Sequence, residues 1–75
     1  RAVARIGARI VDGLAKGDGL LPSQEVALAL DYLDSATALG RQELAEQCAE
    51  IARLSREPVL VKAARSSART LLSLH

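Results

Sequence analysis

Apolar residues recur at helical spacing along nearly the whole chain, and this periodicity constrains the fold more than any other feature. Val3, Ile6, Ile10, Val11 and Leu14 make one stripe. Leu44, Cys48, Ile51 and Leu54 or Ser55 make another, and Leu60, Val61, Ala64, Ala68, Leu71 and Leu72 a third. Between them, Val26, Leu30, Leu33, Ala36 and Ala38 form a broad apolar side that Leu28, Tyr32 and Leu39 extend around the helix. A helix apolar through most of its circumference is expected to be central or to pack on two partners. The apolar set is 14 Ala, 13 Leu, 5 Val and 3 Ile with one Cys and one Tyr, and no Phe or Trp. Ala and Leu are the strongest apolar helix formers, so the chain is expected to be all-α.

Punctuation divides the stripes into four helices, at about 2–15, 24–39, 41–54 and 58–74. Gly17, Asp18 and Gly19 in "KGDGLLPS" mark a turn. Ser23 is the expected N-cap of the second helix, and Gly40 its C′ residue. Pro58 suits the first position of the fourth helix, where its missing N–H costs nothing. Short loops predict antiparallel neighbours in sequence order. The expected architecture over residues 1–75 is one helical domain: a small four-helix bundle of two antiparallel α-hairpins, or a fragment of a helical-repeat array. Gly7 and Ala8 leave room for a close helix neighbour. Tyr32 is expected at the core edge with its hydroxyl in water. A core of alanine and leucine without aromatic anchors predicts modest stability, which a partner, an adjoining domain or self-association would raise.

Few chemistries fit this composition. The only histidine is His75 and the only cysteine is Cys48, so no internal disulfide, zinc site or His-based nucleophile pair can be assembled. Cys48 falls on an apolar helix face and is expected to be a small buried hydrophobe in a reducing cytoplasm. The glycine pair around Asp18 follows neither a phosphate-loop nor a calcium-loop pattern. No apolar run is long enough to span a membrane. No catalytic residue, cofactor or metal is expected. The abundance of Ala and Arg fits a high-GC bacterial genome. The chain opens at Arg1, without an initiator methionine, and reads as a domain or piece of a longer protein.

The net charge of +1 conceals segregation. Residues 1–16 carry +3, residues 17–50 carry −6, and residues 51–75 carry +4, counting Lys, Arg, Asp and Glu. Arg1, Arg5 and Arg9 recur at i, i+4, i+8 on the first helix. Lys62, Arg65 and Arg69 recur at i, i+3, i+7 on the fourth. Either these ridges pair with the acidic central helices at the surface, or they bind an acidic partner, a protein or nucleic-acid phosphates. With Tyr32 as the only aromatic, there is no base-stacking platform, so nucleic acid is the weaker alternative.

"LAEQCAEIARLSREPVLVKAARSSARTLLSL" (residues 44–74) resembles a HEAT-type helical repeat in Pro58, Val61, the pair Ala63 and Ala64, and Leu71 with Leu72. The resemblance implies a non-catalytic scaffold that docks proteins on a helix face, with Lys62 near a position where that family often carries a basic residue. "EVALALDYLDSATALGRQELAEQCAEIA" has the alanine spacing of a tetratricopeptide-type hairpin without its aromatic and proline markers. The Asp-Ser pair in "LDSATAL" is similar to the attachment motif of acyl carrier proteins, which would place phosphopantetheine on Ser35. Ala36, where carriers have leucine, departs from that pattern. The function expected first is a protein–protein interaction module, then nucleic-acid binding, then a carrier domain.

Overall fold

A computed structural model of the chain describes residues 2–74. It is all-α, a small compact bundle of four helices with no strand among the described residues: α1 (Ala2–Lys16), α2 (Ser23–Leu39), α3 (Ala45–Leu54) and α4 (Pro58–Leu72). α1, α3 and α4 bury stripes close to those their sequences predict, whereas α2 buries a narrower face than expected: Leu28, Ala38 and Leu39 of its broad apolar side are exposed, because no helix covers its outer side. Ile10 and Leu14 come from α1, Ala29, Leu33 and Ala36 from α2, Cys48 and Ile51 from α3, and Leu60, Ala64 and Leu71 from α4.

The helices pair as two antiparallel hairpins, α1–α2 and α3–α4. In the first, Gly7 lies beside Tyr32 and Gly13 beside Leu21 and Glu25, so residue numbers run oppositely along the two helices. The hairpins then stack in parallel. Gln47 Nε2 donates to the Ala4 carbonyl at 2.8 Å, which sets the start of α3 beside the start of α1. Thr37 Oγ1 donates to Ser67 Oγ at 3.0 Å, placing the second half of α2 beside the second half of α4. One layer therefore holds α1 and α3, and the other holds α2 and α4.

This order corrects the expectation that sequence neighbours are spatial neighbours. α2 and α3 are consecutive but diagonal, as are α1 and α4. The connection after α2 therefore crosses between layers, and it does so through a tight path. Gly40 takes φ 66°, and its N–H caps the carbonyls of Ala36 and Thr37, as its sequence position suggests. Arg41 then turns extended, and Gln42–Leu44 wind as a single 3-10 turn rather than as the first turn of α3. That turn drops Leu44 into the core, where it is 1% exposed.

Other expectations shift at element ends. Pro22 rather than Ser23 occupies the N-cap of α2, with no side-chain cap bond, so Ser23 begins the helix. Pro58 stands in the first turn of α4 as expected, but α4 ends at Leu72 rather than at 74. Leu72 is exposed and Val61 half-buried, because α4 meets α2 and α3 along the arc around Leu60, Ala64 and Leu71. The two turns within the hairpins lie at one end of the stack, joined by a bond from the Arg56 N–H to the Gly19 carbonyl at 2.8 Å. At the other end, the Gln42 side chain donates to the Leu74 carbonyl.

Candidate partner interface

On α4 the buried residues Leu60, Ala64 and Leu71 and the cations Lys62, Arg65 and Arg69 fall on opposite sides of the helix, 100° per residue apart in angular steps. All three cations are exposed. Among the described residues there are four ion pairs: Lys16–Asp12, Arg41–Glu43, Arg53–Glu50 and Arg56–Asp18. None involves the α4 ridge, nor Arg5 or Arg9 of α1. The first three link residues close in sequence, and Arg56–Asp18 at 3.2 Å links the two turns. Pairing of the basic outer helices with the acidic central helices is therefore not how the described charges are arranged. Asp31 and Asp34 on α2 are likewise exposed and outside every one of these pairs.

The two predicted ridges do not share a surface. α1 and α4 occupy diagonal corners, and each turns its cations away from the core, so Arg5 and Arg9 point away from Lys62, Arg65 and Arg69. Asp12 interrupts the α1 ridge and holds Lys16 at 3.1 Å. Arg1 lies outside the described residues, as does His75. The α4 ridge is uninterrupted. It lines a shallow surface groove of about 690 Å³ with Pro58, Val61 and Arg56, and the groove's lining contains no carboxylate. A second, smaller groove crosses from α4 to α3 on the other side of Arg65, floored by Ala49, Ala52 and Ala68 and flanked by Arg53.

The remaining titratable groups have local explanations. Hydrogen bonds from Arg41 and Arg53 hold the Glu43 and Glu50 carboxyls below the usual carboxylate range. Burial pushes the Cys48 thiol up, and Cys48 is fully buried as its position on the apolar face predicts. Tyr32 corrects an expectation. It is 3% exposed, and its hydroxyl donates to Gln47 Oε1 at 2.7 Å instead of reaching water. Gln47 thus satisfies Tyr32 and Ala4 together, and no buried side-chain polar atom among the described residues lacks a partner. Ser35 is exposed in the interior of α2. No cluster of His, Cys, Asp and Glu among the described residues could hold a metal ion, and no helix there is long and apolar enough to cross a membrane.

Compared with protein-family models, with curated proteins and with solved structures, the chain matches none. The geometry of the site therefore carries the functional argument alone. Sequence periodicity found the α4 ridge but not its surroundings. Arg53 and Arg56 belong to the same cationic end of the molecule, and the positive count of residues 51–75 was the signal for them. The alanine-floored groove had none, because it depends on which helix lies beside α4.

Proposed function

We propose that the chain is a non-catalytic helical interaction module that docks an acidic protein surface on the outer face of α4. The observation that supports this reading is the uninterrupted row Lys62, Arg65 and Arg69, exposed and outside every ion pair among the described residues. Cations left unneutralised on one face raise the local concentration of an acidic partner and orient it on approach. The grooves on either side of Arg65 offer Val61 and three alanines as apolar ground beside the charge. The parallel stacking of two hairpins supports a HEAT-like arrangement, in which such modules present helix faces to partners. The single buried thiol supports a reducing, cytoplasmic setting.

The test is a titration with a fluorescein-labelled, glutamate-rich helical peptide at low and physiological salt. The double substitution Arg65→Glu/Arg69→Glu should weaken binding at least tenfold, about 1.4 kcal/mol, without lowering the melting temperature. Unchanged affinity with a lower melting temperature would assign those residues to the fold. Duplex DNA in the same assay separates the alternatives. Binding to DNA but not to the peptide, with a steep salt dependence, would replace this reading with a nucleic-acid one.

A further inference from the structure

The face that the α4 cations require is present on the same molecule. On α2, Leu28, Asp31, Ser35 and Leu39 recur at i, i+3, i+7, i+11 and form one exposed strip. Leu28 and Leu39 are 42% and 51% exposed. The side of α2 that meets α4 within the molecule is a different one, carrying Leu30, Leu33, Thr37 and Ala38. On α4, Ala63, Ser66, Ser67 and Thr70 face α2. Val61, Arg65, Arg69 and Leu72 therefore lie on the side turned away from it, and Leu72 is 63% exposed. Each end of the hairpin stack thus shows a leucine-bearing strip, with one carboxylate, Asp31, at the centre on α2 and cations on α4.

We propose that a second copy of this chain docks head to tail, the α2 strip of one copy lying along the α4 strip of the other. This rests on the reading of α4 as a docking face and names its acidic occupant. The contact repeats a packing the chain already makes, since α2 and α4 lie side by side in parallel inside each molecule. Kept in the same orientation, the middle of one strip meets the middle of the other. Asp31 comes opposite Lys62 and Arg65, and Leu39 comes toward Arg69 and Leu72. Arg53, the cation that α3 adds beside the ridge, is paired with Glu50, so this pair adds little net charge to the contact. The two strips are different surfaces, so the contact is heterologous and leaves one free strip at each end of the pair. Such contacts extend into linear arrays unless the rotation closes them.

Sedimentation velocity on the full chain tests this, using Asp31→Arg and the double variant Arg65→Asp/Arg69→Asp. The substituted side chains are exposed, and circular dichroism checks that both variants fold. The wild type should shift from monomer to dimer and larger species as concentration rises, and less so at high salt. Each variant alone should stay monomeric, because its two strips then carry like charge. Mixed in equal amounts, the variants should associate with each other and grow into alternating species, since both contacts between unlike copies are complementary: the substituted α2 strip on the substituted α4 strip, and the unchanged α2 strip on the unchanged α4 strip. A wild type that stays monomeric overturns the proposal, as does a mixture that stays monomeric or a single variant that associates like the wild type. If the monomeric wild type still binds the glutamate-rich peptide, self-docking has failed and the docking role of α4 stands. If it binds neither, both have failed.

Discussion

At Gly7 of α1, side chains of both α2 and α3 crowd against the helix. A Cβ there would sit 2.7 Å from Cζ and Oη of Tyr32 and would also collide with the Gln47 side chain. Neither neighbour can move freely, because each is held by the bond between them, and Gln47 is held also by Ala4. Gly13, on the same helix, meets only Leu21 Cδ2 at 3.3 Å and Glu25 Oε1 at 3.8 Å, and the half-buried Leu21 can yield. The two glycines therefore answer alanine in opposite ways. Helix propensity favours alanine by about 1 kcal/mol at either site. At Gly7, overpacking of about 1–3 kcal/mol outweighs that gain. Gly7→Ala should lower the urea midpoint, and Gly13→Ala should raise it or leave it unchanged. Equal effects would mean that Gly7 is not a packing site.

At the scale of elements, the contact between the diagonal helices α2 and α3 carries a pH dependence. Burial, and then the charge of a nearby ionised Cys48, keep the Tyr32 hydroxyl protonated well above the ordinary phenol range. Burial likewise raises the Cys48 thiol. Both groups have folded pKa values above their unfolded ones, near pH 8.5 for a thiol and about 10 for a phenol. Their contribution is thus complete below those values. It is lost as the pH rises past them, because the unfolded chain then releases protons that the folded chain keeps. Stability from denaturant melts should hold steady up to about pH 8 and fall through pH 9–11. In Tyr32→Phe the upper part of that fall should disappear, while stability at neutral pH drops by about 1 kcal/mol for the lost hydrogen bond to Gln47. The helices themselves were largely legible in the sequence. The stripes of α1, α3 and α4 named most of the buried residues, and Gly40 and Pro58 marked real boundaries. What the sequence could not show was which helix lies beside which. Short loops predicted an up-and-down ring, but a cross-layer path through Gly40 and the 3-10 turn is just as short. For the same reason the position of Tyr32 was misread: whether its hydroxyl meets water or Gln47 depends on where α3 lies. The site divided in the same way. Spacing identified the cations on α4, whereas the divergence of α1 from α4 and the grooves beside Arg65 exist only once the layers are known.

At the scale of the whole molecule, few polar bonds join the two hairpins, and apart from Tyr32–Gln47, which spans 15 residues, they link residues far apart in the chain. Ala4 with Gln47 spans 43 residues, and Thr37 with Ser67 spans 30. The Gly19–Arg56 bond joins the two turns at one end. Contacts within each hairpin, by comparison, close short loops. This separation of near and distant contacts has a kinetic consequence. Chain-closure entropy lets the hairpins form before the stack is locked, so bonds across the stack are expected late on the folding path. Substitutions that weaken a late contact act on the unfolding rate and leave the folding rate almost unchanged. Thr37→Val should therefore speed unfolding in stopped-flow denaturant jumps with little change in the refolding limb. An equal slowing of refolding would mean that the stack forms early. With its last step the docking of preformed hairpins, the chain would be held folded mainly by the height of one late barrier, and a small loss at the layer junction would shorten the lifetime of the native state.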